Sequence, residues 1–217
     1  MVLIDLDGTL VDSVPDLSVA VDEMQRTLEL PERGEARVRN WVGNGVERLV
    51  KRALTDDLDG EPDQALFQRA YPVFKIAYAA VNGEHSRLYP GVEEGLARFR
   101  EQGFKLGCIT NKAAQFTEPL LASLGVSHYF ELIVSGDSLP EKKPHPMPLL
   151  HAAEYFGVEP AQAMLVGDSM TDVKAARAAG FGKVVCVSYG YNHGIDIREA
   201  NPDAVVDSLS ELAGLLD

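Results

Sequence analysis

The sequence predicts an α/β fold in which a parallel sheet lies between two layers of helices and carries a small α-helical cap domain. Two patterns lead to it. Short apolar runs alternate with helical segments over most of the chain, and one long stretch near the start is helical throughout. The first run, residues 2–6, reads as a strand: it is rich in Val, Ile and Leu and lacks the strict alternation of a half-exposed strand. Residues 15–84 then break the rhythm. PDLSVAVDEMQRTLEL, EARVRNWVGNGVERLVKRAL and PDQALFQRAYPVFKIAYAAV each read as one helix or a bent pair, with no strand between them. EHSRLYPG, with Pro90 and Gly91, returns the chain to the sheet. From there a helix at 92–102 leads to a strand at 105–110, and a helix at 114–124 to a strand at 132–135. A helix at 147–156 precedes a strand at 163–166, and a helix at 172–179 precedes a strand at 183–188. Thr171 is the expected N-cap of that last helix and Gly180 its C-terminal cap. Such alternation implies a three-layer, Rossmann-like core. The expected division is residues 1–13 and 85–217 for the core and 14–84 for the cap. A helical cap over the ends of a parallel sheet encloses a site.

Composition narrows the function. The chain has 217 residues and a net charge of −13, with 46% hydrophobic and 24% charged residues, as in ordinary globular proteins. So acidic a chain argues against nucleic acid or an anionic membrane surface as partner. An anionic substrate then requires a metal ion and a few placed cations inside one cleft. Cys108 and Cys186 sit in apolar runs and read as buried thiols, with no disulfide framework. No apolar stretch reaches the roughly 20 residues of a membrane span, and no signal segment precedes the first strand, so reduced cytoplasm is expected. The five histidines lack metal-ligand spacing.

Four polar clusters follow separate expected strands. The first is Asp5-Leu6-Asp7-Gly8-Thr9. Residues two apart on a strand share a face, so Asp5 and Asp7 project together, and two adjacent carboxylates call for a hard divalent cation such as magnesium. Gly8 permits a sharp exit from the strand. The second is Thr110-Asn111-Lys112, where a hydroxyl, an amide and the next helix N-terminus face an incoming phosphate; Thr and Asn also cap helices for purely structural reasons. The third is Lys143 in PEKKPHP, held by Pro144 and Pro146, with Lys142 beside it as a solvated surface charge. The fourth is Gly167-Asp168-Ser169-Met170-Thr171-Asp172, in which Asp172 either joins a metal site or caps the next helix. Ligands of open parallel sheets bind outside the carboxyl ends of the strands, so all four clusters can meet in one crevice.

These four motifs, in this order, resemble the haloacid dehalogenase superfamily of phosphatases, and the helical insert resembles that family's small α-helical cap. Within the superfamily, DLDGTLVDSVPDL, WVGNG, YPGV, ITNK, KKPHP, VGDS and YGYNHG are similar to the bacterial phosphoglycolate phosphatases. The chain departs from that subgroup at Met170 and Thr171, where Arg and Asn are common, and at Met147, where Asp is common. The resemblance implies a magnesium-dependent phosphomonoesterase with Asp5 as nucleophile and Asp7 as general acid and base. Thr110 and Lys143 are implied to hold the phosphoryl group. Asp5, the Asp7 backbone carbonyl and Asp168 are implied to hold magnesium, with Asp172 assisting. Gly8, Thr9 and Asn111 join the implied substrate-binding set. So do Gly43, Asn44 and Gly45, whose backbone N–H groups suit a small carboxylate such as that of glycolate. The implied substrate is 2-phosphoglycolate, for a monomer or homodimer. The alternatives are a phosphatase of another small or sugar phosphate, a sugar phosphomutase, or a non-enzymatic module; intact Asp5, Asp7, Lys143 and Asp168 argue against the last. Trp41, Arg48 and His193 read equally as site or structural residues, and Tyr155 and Phe156 as core.

Overall fold

A computed structural model describes residues 1–216. The chain runs β1 (Val2–Ile4), β2 (Val11–Asp12), α1 (Val14–Thr27), α2 (Glu35–Arg39), α3 (Val46–Thr55) and α4 (Gln64–Val81). It continues through β3 (Arg87–Leu88), α5 (Val92–Glu101), β4 (Leu106–Ile109), α6 (Ala114–Ser123), β5 (Leu132–Val134) and α7 (Met147–Phe156). It ends with β6 (Met164–Gly167), α8 (Met170–Ala179), β7 (Lys183–Val187), β8 (Ala204–Val206) and α9 (Leu209–Gly214). None of these helices is long and apolar enough to cross a membrane.

Six strands form one parallel sheet in the order β5-β4-β1-β6-β7-β8. Alternation along β1 shows why its residues are all apolar. Val2 and Ile4 pack with Leu96, Phe99, Leu120 and Leu212 on the α5, α6 and α9 side. Leu3 packs with Leu149, Leu165, Val173 and Cys186 on the α7 and α8 side. A strand buried on both faces has no polar position to spare. Both cysteines are free and buried.

Helices α1 to α4 have a third core of their own, built on Leu17, Val21, Met24, Leu49, Phe74 and Tyr78. Phe116 of α6 and Tyr191 enter this core from the sheet side. Where the expected helix at 35–54 could be a bent pair, it is one: α2 and α3 part at the segment Trp41–Gly45. Gly43 at φ +127° and Gly45 at φ +88° take backbone conformations that favour glycine.

Four elements escaped the sequence reading. The ribbon β2–β3 pairs Val11 with Leu88 where the chain leaves and re-enters the sheet domain. Strand β8 and helix α9 lie beyond the last expected strand, and three residues are too few to display a period. The expected N-cap is also corrected: α8 starts at Met170, and Ser169 caps it in a reciprocal box with Asp172. Ser169 precedes Thr171 by two residues and leaves the Asp172 side chain at the third helical position, from which it reaches back.

Asp16 pins the two crossings between helices and sheet. Its fully buried carboxylate accepts N–H bonds from Gly83 at 2.9 Å, His85 at 2.8 Å and Ser86 at 3.0 Å, and the Ser86 hydroxyl donates to it as well. Asp16→Ala strands those donors and is expected to lower stability by about 2–4 kcal/mol. A shifted urea midpoint with unchanged slope is the readout; a change below about 0.5 kcal/mol would mean that the loop finds other acceptors.

Candidate active site

The register of the sheet assembles the site. Ile4 pairs with Cys108 of β4 and with Val166 of β6, so the residues just beyond these strands emerge side by side. The Asp5 N–H continues the ladder to the Val166 carbonyl at 2.9 Å, and the Thr110 N–H to the Val134 carbonyl at 3.0 Å. Asp5, Thr110 and Asp168 therefore leave one edge of the sheet together.

Lys143, 2% exposed, sits among the carboxylates. Its Nζ lies 2.9 Å from Asp5 Oδ1 and 2.7 Å from Asp172 Oδ1. Asp5 Oδ1 also accepts the Leu6 N–H at 2.7 Å. Asp172 Oδ2 accepts the Ser169 hydroxyl at 2.7 Å and the N–H groups of Ser169 and Asp168 at 3.1 and 3.3 Å. Asp172 thus caps the helix and faces the acidic cluster at once. Asp168 accepts the Thr9 hydroxyl at 3.2 Å and the Tyr191 N–H at 2.5 Å. One oxygen from each of Asp5, Asp168 and Asp172 lies within 4.8 Å of the others.

Three carboxylates face one ammonium, and their acidity reflects it. Burial pushes Asp5 up to about 7 against the pull of Lys143, and Asp172 adds to the rise. Burial, then Asp172 and Asp5, carry Asp168 well above the ordinary carboxylate range. Burial alone would lower Lys143, but Asp172 and Asp5 hold it above the ordinary lysine value, so it stays charged. An all-oxygen set short of positive charge fits a hard divalent cation, and Asp5 Oδ2 accepts no hydrogen bond among the described residues.

Asp7 faces another way. Its carboxylate takes Lys112 Nζ at 2.9 and 3.1 Å and the Ser13 hydroxyl at 2.5 Å, so it adds no side-chain oxygen to the acidic cluster. Lys112 is buried, with Nζ 5.0 Å from the ring centre of Tyr78 on α4. Burial alone would lower its ammonium, but Asp7 and Tyr78 hold it above the ordinary range. Asp5, Asp7, Thr110, Asn111 and Lys112 form the sheet side of a cleft, and Leu17, Val42, Gly43, Gly45, Val46 and Leu49 the helical side.

The other expected site residues sort by position. Gly8, at φ +85°, turns the chain so closely under Asp168 that a Cβ would fall 2.2 Å from Asp168 Oδ2. Neither Gly8 nor Thr9 lines the cleft, and the Thr9 hydroxyl is directed at Asp168. Gly43 and Gly45 line it, but Asn44 turns outward: its side chain accepts from Arg52 at 2.9 Å and its carbonyl from Lys142 at 3.3 Å. Lys142 is exposed as expected, yet it bridges sheet and helices there. The Asn111 amide donates to the carbonyls of Lys143 at 2.9 Å and Gly43 at 3.3 Å. Trp41 is buried in the helical core. Arg48 reaches Glu61 and the Leu58 and Gly60 carbonyls on the loop after α3. His193 Nδ1 meets the Asn40 carbonyl at 2.7 Å and ties its loop to the end of α2. Phe156 is buried; Tyr155 is exposed and so does not join the core.

Lys112, Ser13 and Tyr191 were not singled out from the sequence. Lys112 stood in the second cluster without a role of its own, and only the fold brings it to Asp7. Tyr191 donates its N–H to Asp168, places its ring in the helical core, donates its hydroxyl to Asp12 and accepts the Ser13 N–H at 3.1 Å.

Residues 1–180 match the haloacid dehalogenase-like hydrolase family. The chain is 61% identical over 216 residues to a phosphoglycolate phosphatase of Nitrosococcus oceani, covering 100% of this chain and 96% of that protein. It is 51% identical over 215 residues to one of Nitrosospira multiformis, covering 99% and 94%. A crystal structure described as a predicted phosphoglycolate phosphatase from Haemophilus somnus superposes with a TM-score of 0.93 at 36% identity, covering 100% of this chain and 97% of that one.

The raised pKa of Asp5 makes stability depend on pH. Between the ordinary carboxylate value near 4 and about 7, the folded site holds a proton that the unfolded chain has lost. The stabilisation from this group is complete below about pH 4 and lost as pH rises through about 7. A divalent cation requires ionised carboxylates, so its stabilising effect grows across the same window. Melts of chelator-treated protein from about pH 5 to about pH 8, with and without a divalent cation, are expected to show a gap that widens with pH; a constant gap would place cation binding away from the acidic cluster.

Proposed function

Because the chain belongs to the haloacid dehalogenase-like hydrolases and is a phosphoric monoester hydrolase, we propose that it hydrolyses 2-phosphoglycolate through an aspartyl-phosphate on Asp5, with magnesium as cofactor. The observation that carries this reading is the pairing of Asp5 with buried Lys143 beside an acidic cluster short of positive charge, while Asp7 stands apart on the cleft wall. Two neighbouring aspartates in such different surroundings suit two different roles.

In the proposed reaction an Asp5 oxygen attacks phosphorus, the bond to the leaving oxygen breaks, and Asp7 passes a proton to that oxygen. Water then attacks the aspartyl-phosphate, Asp7 takes a proton from it, and phosphate leaves with Asp5 restored. Lys143 and the Thr110 hydroxyl hold the transferring oxygens. Asp5, the Asp7 backbone carbonyl and Asp168 would hold magnesium, which would supply positive charge against which two anions can approach. Asp172 orients Lys143 and Asp168 through the bonds described above. Helices α1 to α4 act as a cap over the strand ends and exclude bulk water, with Gly43 and Gly45 at the leaving-group side. Kinship with phosphoglycolate phosphatases supports the substrate, and free, buried thiols suit a reducing compartment.

Phosphate release with magnesium from 2-phosphoglycolate and from a panel of sugar phosphates tests the reading. A preference for 2-phosphoglycolate is expected, with release abolished by Asp5→Asn and by chelation. Asp7→Asn is expected to lower turnover by about 10²–10⁴-fold. Sugar-directed release would discard the substrate and keep the chemistry; undiminished turnover in Asp5→Asn would discard the chemistry.

A further inference from the structure

The cleft holds a cation that the phosphoryl chemistry does not use. Among the residues that line it, two are acidic, Asp5 and Asp7, and one is basic, Lys112. Lys143 is not among them; its Nζ is paired with Asp5 and Asp172. Lys112 stands at the other end, against Asp7. The two ends differ in what they face: Lys143 faces the attacking carboxylate, and Lys112 faces the group that passes a proton to the leaving oxygen.

Lys112 is built to stay in place. It is 2% exposed, its Nζ meets both oxygens of Asp7, and the Tyr78 ring from the helical layer lies under it. An ammonium carries three donors; Asp7 engages up to two, and the nearby buried Tyr78 hydroxyl makes no hydrogen bond of ordinary geometry, so a donor can turn to a ligand in the cleft. On the opposite wall the side chains of Leu17, Val42, Val46 and Leu49 offer an anion no charge, and Gly43 and Gly45 present backbone only. A charged group desolvated against such a wall requires a paired charge. In a two-carbon phosphate ester, a carboxylate on the second carbon lies only about 3 Å from the leaving oxygen by bond lengths alone. With that oxygen at Asp7, the carboxylate falls beside Lys112.

We propose that Lys112 is a specificity-determining residue that receives the carboxylate of a short anionic phosphate ester and so selects it over an uncharged ester of the same length. This rests on the phosphatase reading above and assigns its substrate preference to one side chain. Lys112 bridges Asp7 and the substrate carboxylate, which aligns the leaving oxygen with its proton source. In a chain of net charge −13, with Asp5 and Asp7 lining the same cleft, it is the group that makes a second negative charge on the substrate tolerable.

The test compares 2-phosphoglycolate with ethyl phosphate, which lacks the carboxylate, in the wild-type enzyme and in Lys112→Gln and Lys112→Arg. Competitive inhibition by inorganic phosphate is measured in each as a check on the folded phosphoryl site. The wild type is expected to prefer 2-phosphoglycolate. In Lys112→Gln, kcat/KM for 2-phosphoglycolate is expected to fall about 10- to 100-fold more than for ethyl phosphate, chiefly through KM, with phosphate inhibition retained. In Lys112→Arg the charge persists in another shape, so KM for 2-phosphoglycolate shifts and KM for ethyl phosphate does not. Equal losses on both esters, or a loss confined to kcat, would overturn the proposal and leave Lys112 as a partner of Asp7 alone. If the glutamine variant does not fold, the arginine variant decides by the same comparison. A wild type indifferent between the two esters would overturn both this proposal and the choice of substrate; a wild-type preference that survives in the variants would overturn this proposal only.

Discussion

Three buried or half-buried carboxylates, Asp5, Asp168 and Asp172, share a single buried ammonium on Lys143, and the surrounding structure is arranged to hold that imbalance in place. Without constraint the carboxylates would separate or turn to water. Each is tied instead: Asp5 by the Leu6 N–H, Asp168 by Thr9 and Tyr191, and Asp172 by the helix end that it caps. Gly8 and Gly190 leave room for this crowding, since a Cβ at either would fall within 2.2 Å of an Asp168 atom. The result is a stored demand for positive charge at the ends of the central strands, the place where an anionic substrate and a metal ion meet most favourably.

The helical layer is bound to that centre through few but specific contacts. Asp16 holds the return crossing, and Tyr191 holds the outgoing one through Asp12 and Ser13. Across the cleft, Asn111 and Lys142 donate to the successive carbonyls of Gly43 and Asn44. These links join the glycine-rich break between α2 and α3 to the same loops that carry Thr110 and Lys143. Tyr191 is the most connected of them, because its backbone supports Asp168 while its ring belongs to the helical core.

Much of this was legible beforehand. Strands buried on both faces announce themselves as unbroken apolar runs, and five of the six strands of the main sheet were found that way; β8, with three residues, offered too little pattern. Asp5, Thr110, Lys143 and Asp168 were legible because each follows a strand or a stiff loop, and parallel topology gathers such positions. Thr9 entered the expected substrate set with its motif and Asn44 for its backbone N–H; the fold directs the Thr9 hydroxyl to Asp168 and the Asn44 side chain to Arg52. Nothing in a linear pattern distinguishes a hydroxyl that supports a carboxylate from one that meets a ligand.

The linear pattern could establish the α/β class, the helical insert after the first strand, and the four clusters at strand ends. It could do so because periodicity and turn chemistry are local, and because the family motifs are short and contiguous. It takes the folded chain to show that Asp7 turns from the acidic cluster to Lys112 and Ser13, that Asp172 both caps α8 and holds Lys143, and that Tyr191 links Asp168 to the helical core. Those partners are separated by 105 residues for Asp7 and Lys112 and by 23 for Asp168 and Tyr191. Which charge meets which is set by strand register and by how the helices close over the sheet, and neither is a property of any local stretch of chain.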